Sequence, residues 1–344
     1  IIIGFIFSVV AVLLNEPILY FFGASDQTIP YAREYMIIIL LGNIITHLYF
    51  GMNAVLRAAS KPRQAMYTTI FTVVLNSILD PLFIYTFDMG IRGAAIATIL
   101  SQTVALVWQI RLFSDKGELL HLKRGIYRLD NIIVKNILGI GISPFAMNAT
   151  ACLVAIFVNQ RLLEYGGDLA VGAFGIANRV AFIFIMINFG VNQGMQPIAG
   201  YNYGAQNYDR LMRVLKLAMI AGTCITTSGF LVAEFIPHIC VRLFTSDSEL
   251  TELSVNGLRI MMAAMPIVGY QMIVTNFFQS IGKAKISIFL SLSRQLLFLV
   301  PLIGVMPLFF GVNGVWVAMP ISDSFSAIFA LVMMVRYMRV FKKR

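Results

Sequence analysis

Residues 90–101 read GIRGAAIATILS, and residues 311–322 read GVNGVWVAMPIS. The shared pattern, G-[IV]-x-G-x3-A-x3-S, sets Gly90, Gly93, Ala97 and Ser101 against Gly311, Gly314, Ala318 and Ser322 at an offset of 221 residues. Self-similarity at a fixed spacing marks an internal repeat. The same offset brings Ser25-Asp26 onto Ser246-Asp247, and the basic turn RAASKPR at 57–63 corresponds to SIGKAK at 280–285. Identity elsewhere in the overlay is near chance, so the repeat rests on punctuation and topology.

The chain of 344 residues is 59% hydrophobic and only 12% charged. A soluble chain carries about 25% charged residues, so half the charge needed for an aqueous surface is missing and a water-soluble enzyme is excluded. Crossing ~30 Å of hydrocarbon takes ~20 apolar residues. Ten such runs lie at 1–23, 33–56, 64–87, 93–114, 132–163, 168–199, 208–233, 252–281, 286–309 and 312–337. Two exceed 30 residues, and the run at 132–163 is expected to kink at Pro144.

Of the 26 Lys and Arg residues, 19 fall in the segments after the second, fourth, sixth, eighth and tenth runs, and five fall in the opposite set. Cytoplasmic loops carry the basic excess, so this alternation places the C-terminus in the cytoplasm and reads the net charge of +10 as topology, with no nucleic acid as partner. Both copies of the glycine pattern then run from outside to inside, as in a parallel repeat about an axis along the membrane normal. The fold expected is an all-α, polytopic helical bundle of two pseudo-symmetric lobes. A partial first lobe covers 1–113, a basic cytoplasmic linker covers 114–131, and a second lobe covers 132–344. Four runs precede the linker and six follow it. Ile132 projects about 90 residues ahead of Ile1 at the repeat offset, so two further helices are expected upstream.

No HExxH, GxSxG, Walker or paired-Asp motif is present, and His47, His121 and His238 are scattered, so no enzyme and no cofactor are expected. Cys152, Cys224 and Cys240 lack ligand spacing and read as buried free thiols. The informative residues are ionisable groups within apolar runs, each costing at least ~2.5–3.5 kcal/mol at the bilayer centre. Glu16 and Glu234 lie near outer ends, where they reach the interface. Asp80 lies deeper, with Asn76 one turn earlier on the same face and Pro81 freeing a carbonyl one turn back. Thr98 and the carbonyl of Ala94 reach a similar depth on the next helix. A carboxylate, an amide oxygen, a hydroxyl and a carbonyl at one level form a hard-oxygen cluster suited to Na⁺ or a proton; the alternative reading is that Asp80 caps or braces helices without titrating. The overlay sets Asn76 and Asp80 on Leu297 and Pro301, so the second half lacks the cluster.

Asp323, flanked by Ser322, Ser324 and Ser326, reads either as a second titrating group or substrate counter-ion or as a helix contact. Arg179 and Arg294 are expected to bind a carbonyl or carboxylate across a helix pair, and Asn178, beside Arg179, belongs with them to a candidate substrate cleft. Amides such as Asn188, Asn192, Gln196, Gln271 and Asn276 either line that cleft or join helices.

Several stretches together resemble one family. They are N-x3-D-P from Asn76 to Pro81, MGIRGAAIAT at 89–98, RAASKP at 57–62, YGGDLAVGAFGIANR at 165–179 and QPIAGYNYGA at 196–205. The chain is similar in all of them to the multidrug and toxic compound extrusion (MATE) family, and within it to the bacterial MepA-like group, lacking the first two helices. The resemblance implies twelve helices in two six-helix lobes. It also implies a monomer in the bacterial plasma membrane, with the lipid bilayer and small cationic or amphipathic substrates as partners, exported in exchange for H⁺ or Na⁺. In the family, an Asp of the first helix joins residues that match Asn76, Asp80 and Thr98 here, with the Ala94 carbonyl as a further ligand. A lipid-linked oligosaccharide flippase and a non-transporting scaffold are the competing readings.

Overall fold

In hydrocarbon a backbone can satisfy its own polar groups only as a helix or a closed barrel, and the apolar runs fold as helices. The computed structural model describes residues 2–21, 29–114, 121 and 130–341, and among these no strand occurs. The chain divides into two units, Ile1–Arg128 and Leu129–Arg344. The expected linker lies largely outside the described residues, as do Ser25 and Asp26.

The first unit holds α1 (Ile2–Leu13), α2 (Asn15–Phe21), α3 (Ile29–Ala58), α4 (Pro62–Pro81) and α5 (Gly90–Phe113). The first apolar run is carried by α1 and α2, which meet at Leu14, where Leu14 N still donates to Val10 O and Ile18 N to Leu14 O, both at 3.0 Å. Polar side chains join the helices. Asn43 on α3 donates to the Gly4 carbonyl (3.3 Å) and Ser8 Oγ (3.0 Å) of α1, and Thr46 donates to Gln102 Oε1 of α5 (2.6 Å). Nearer the basic turn, buried Asn53 on α3 donates to Thr68 Oγ1 of α4 at 3.1 Å.

In the second unit, α6 (Asn131–Gly204) is two helices, 131–166 and 168–204, that meet at Gly167 (φ 64°, ψ −167°). The interruption falls at Gly167, in the gap expected between the runs at 132–163 and 168–199, and helical dihedrals persist through Pro144. Proline removes a donor but holds φ near the helical value, whereas glycine alone enters the left-handed region without strain. Next come α7 (Tyr208–Phe235), α8 (Pro237–Arg242), α9 (Ser248–Met262) and α10 (Met265–Ser280). The last two are bent by 51° at their junction, so the run at 252–281 is a bent helix pair and not one continuous helix. Asp247 caps α9 by accepting from Leu250 N at 2.7 Å. The chain continues through α11 (Ala284–Leu292), a π-helical turn (Ser293–Leu299), α12 (Val300–Phe310) and α13 (Val312–Phe341). Helix α10 is the buried post of this unit, with Ile273, Phe277 and Phe278 fully enclosed.

Seven described helices are long and apolar enough to cross a membrane, and the bent pair makes an eighth. Helix α6 carries two of the ten runs, and α1 with α2 carries the first. Large apolar side chains such as Leu13, Phe235 and Phe309 are exposed, as expected where hydrocarbon is the solvent. The three cysteines are free, but the expectation that they are buried fails: Cys152 and Cys224 are exposed and Cys240 is half-buried. A thiol on an apolar run needs no protein around it when lipid covers that face.

The repeated pattern does the same work in both units. Gly90 (φ +52°) and Gly311 (φ +56°) turn the chain back. Gly93 lies against the backbone of Phe83, where an added Cβ would come within 2.7 Å of its carbonyl, and Gly314 meets the carbonyl of Met306 as closely. Ala97, Ala318, Ser101 and Ser322 then pack with almost no exposure. Each copy is a tight helical hairpin whose backbones touch.

Three turns also share a design. Ser60 (φ 62°), Gln206 (φ 56°) and Gly282 (φ 75°) each follow a helix in the left-handed region. The next amide reaches back five residues: Lys61 to Leu56, Asn207 to Asn202 and Lys283 to Phe278, at 2.8–2.9 Å. This is the Schellman closure. A Cβ on Gly282 would meet no atom within 4 Å, so Gly282→Ala is expected to cost only its left-handed backbone, about 1 kcal/mol. Gln206→Gly should gain about as much. Thermal melting in detergent tests both, and unchanged midpoints would refute the assignment.

Candidate ion-binding site

Pro81 ends the α-helical pairing of α4, because it has no N–H to donate. The chain responds by widening into a π-helical turn, Leu82–Thr86, with Phe87 N bonded to Leu82 O at 3.0 Å. That turn leads into the hairpin closed at Gly93 and Phe83, which fixes α5 beside α4. At ~1.5 Å of rise per residue, Thr98 lies about 7.5 Å past this contact, between the levels of Asp80 (about 4.5 Å) and Asn76 (about 10.5 Å).

The four predicted residues form two pairs, all half-buried. Asn76 Nδ2 donates to Asp80 Oδ1 at 3.0 Å, and Thr98 Oγ1 donates to the Ala94 carbonyl at 3.0 Å. No hydrogen bond among the described residues joins one pair to the other. One N–H of Asn76 Nδ2 stays free, and Ala94 O, inside α5, also takes the helical bond from Thr98 N, so the uncommitted oxygen capacity is Asp80 Oδ2, Asn76 Oδ1 and the lone pairs of Thr98 Oγ1. Such an arrangement can hold a hard monovalent cation, or a proton on the carboxylate. Among the described residues no group of three His, Cys, Asp or Glu could hold a metal ion.

Asp323 differs in kind. Its carboxylate pairs with Arg294 Nη1 at 3.3 Å, with the side chains 19% and 30% exposed. Ser322 Oγ donates to the Arg294 carbonyl at 2.6 Å, so α13 is pinned twice to the π-helical turn of α11–α12. The expectation for Arg294, a carboxylate across a helix pair, is met. That for Arg179 is not: Arg179 and Asn178 are exposed, and neither has a hydrogen-bonded partner among the described residues. By contrast, no basic side chain pairs with Asp80 among the described residues. Glu16, near an outer end, pairs with Arg33 at 2.7 Å in an exposed ion pair. Glu34, which the sequence reading passed over, pairs with Arg92. Each such exposed pair is worth about 0–1 kcal/mol.

Most buried amides join helices. Gln196 donates to Asn276 Oδ1 (3.2 Å) and Gln271 to Ser326 Oγ (3.1 Å), linking α10 to α6 and α13. Asn188 and Asn192 are buried on α6 as well, whereas Asn178 and Gln193 stand on its exposed face.

Comparison with known proteins gives one family. The MatE family model matches residues 1–82 and 140–303, more than half of the chain. The multidrug export protein MepA of Staphylococcus aureus (strain bovine RF122 / ET3-1) is 25% identical over 329 residues, covering 96% of this chain and 72% of its own. MepA of Staphylococcus haemolyticus (strain JCSC1435) is 26% identical with the same coverage. Among solved structures, a ligand complex of the MATE multidrug transporter DinF-BH is 36% identical, with a TM-score of 0.88 over 99% of this chain and 76% of that one. The outward-facing conformation of a multidrug resistance MATE family transporter of the MOP superfamily gives a TM-score of 0.93 at 24% identity, over 100% of this chain and 77% of that one.

Proposed function

The chain belongs to the MatE family, and from that membership we propose that it is a secondary antiporter. It exports cationic and amphipathic compounds across the bacterial plasma membrane in exchange for H⁺ or Na⁺, as a monomer with its C-terminus in the cytoplasm. It is a transporter and not an enzyme, and it uses no cofactor beyond the coupling ion. The relatives support export: MepA is a multidrug export protein and DinF-BH a multidrug transporter.

The observation that carries the coupling is the contrast between the two acids within the spans. Asp323 already has a cation, Arg294. Asp80 has only the amide of Asn76, which leaves its charge to be met by a coupling ion. We assign the ion site to Asp80, Asn76, Thr98 and the Ala94 carbonyl. Loading that site would alter the outer half of the first unit and so couple the ion to release of substrate. A flippase for lipid pyrophosphates would want free basic groups in the spans. Arg294 is committed to Asp323, leaving Arg179.

The test is a vesicle assay with the full-length protein and a fluorescent organic cation. An inward H⁺ or Na⁺ gradient is expected to drive dye movement against its own gradient, and one of the two ions alone should suffice. Dye movement indifferent to both gradients would refute antiport.

A further inference from the structure

Span α11–α12 carries a feature that ion coupling leaves unused. A groove of about 490 Å³ runs along one of its faces, lined by Lys285, Phe289, Leu292, Leu296 and Leu297, with Ser293 beneath. From Lys285 to Leu297 is 12 residues, or about 18 Å at 1.5 Å per residue. That is a little over half of the ~30 Å hydrocarbon core and so about the depth of one leaflet. The volume falls within the ~300–1,000 Å³ range of small-molecule pockets.

The groove runs from α11 onto the π-helical turn, where Leu296 and Leu297 both stand outward, at 48% and 55% exposure. Phe289 forms the upper part of the wall, its ring 6.1 Å from Phe329 on α13. The stacked pair Phe298 and Phe325, 5.4 Å apart, holds the opposite face of the same turn to α13. The wall is therefore fixed by packing from behind, while its open side is apolar.

Only one end is charged. Lys285 stands at the rim, and Lys283 precedes it in the turn after α10. Among the described residues neither pairs with a carboxylate. An apolar trough one leaflet deep with two unpaired ammonium groups at its membrane-surface end matches a phospholipid, chain along the trough and anionic head at the lysines. The lysines also argue against the exported compounds as occupants, since a cationic amphiphile would set its charge against theirs.

We infer that this groove is a binding site for an anionic phospholipid of the leaflet on the side of the Lys283–Lys285 turn. Binding there covers the exposed leucines and braces the wide turn that carries Arg294.

The inference is tested without reference to export, by native mass spectrometry of the full-length protein released from detergent. The protein is loaded beforehand with phosphatidylglycerol or with phosphatidylethanolamine of the same chains. Wild type should retain phosphatidylglycerol at least threefold over phosphatidylethanolamine. Lys283→Glu with Lys285→Glu should erase that preference. Leu296→Trp, which fills the trough, should lower retention of both lipids, whereas Leu217→Trp on the exposed face of α7 should leave both unchanged. Equal retention of the two lipids by wild type would overturn the site. So would an unchanged preference in the charge variant, or displacement of the lipid by tetraphenylphosphonium, a lipophilic cation. Melting of each variant accompanies the assay. Should Leu296→Trp fail to fold, the two surface lysine changes decide the question.

Discussion

Asp80→Asn is expected to reduce ion-driven export of an organic cation to the level of protein-free vesicles, with insertion and melting unchanged. The reasoning is geometric. Asn76 Nδ2 donates to Asp80 Oδ1, and an amide oxygen introduced at position 80 can accept the same bond, so the α4 face keeps its shape. The substitution removes the negative charge and, with it, any reason for a cation or proton to bind among Asn76, Thr98 and the Ala94 carbonyl. No basic side chain is left unpaired by the change, because none pairs with Asp80 among the described residues. Stability should therefore hold while coupling is lost. Export by Asp80→Asn at the wild-type rate would remove Asp80 from the mechanism. The same site distinguishes the two ions. Thr98→Val keeps the volume and deletes one oxygen ligand. If Na⁺ is the coupling ion, it should raise the Na⁺ concentration needed for half-maximal export about tenfold, the equivalent of ~1.4 kcal/mol. A proton needs only the carboxylate, so a proton-coupled protein should be nearly indifferent to it.

Much of this architecture is legible in the sequence, because the features that specify it are local. Apolar length and the alternation of basic loops define the spans, and a glycine pattern repeated 221 residues apart finds the hairpins. In the structure those glycines are positions where a side chain would collide with the facing backbone or strain a turn, so the letters carry their own mechanism. The membrane fold and the family resemblance read from the motifs agree with the family match and the structural likeness. What the sequence misplaces depends on partners. Three cysteines look buried, yet apolar surroundings in this chain include lipid as well as protein. Arg179 and Arg294 look alike in sequence. Only tertiary packing brings a carboxylate to Arg294 and leaves Arg179 exposed. The oxygen cluster is half legible: spacing along a helix yields Asn76 with Asp80 and Ala94 with Thr98, while the absence of a bond joining the two pairs is a matter of interhelical distance that no spacing encodes.

The Arg294–Asp323 pair carries the second large effect, and it separates a brace from a working group. Removing either partner leaves an uncompensated charge within a span. Breaking a buried pair in this way costs about 3–5 kcal/mol. With the side chains 19% and 30% exposed, some solvation is retained, so Arg294→Leu and Asp323→Leu are each expected to destabilise by about 3 kcal/mol, at the lower end of that range. The double substitution should recover most of this loss, because two apolar side chains of similar size meet where two charges did, and such replacements are often neutral or stabilising. A double variant that melts no higher than the singles would show that the pair does not act as a unit. The transport readout then assigns the role. If the pair serves to pin α13 to the π-helical turn, a position also held by Ser322 on the Arg294 carbonyl, the double variant should export at near the wild-type rate and with the same ion requirement. A well-folded double variant that has lost export would instead make Asp323 a second working acid. The expected result is retention, because a carboxylate already bonded to a guanidinium has its charge met inside the protein, whereas no basic side chain meets that of Asp80 among the described residues.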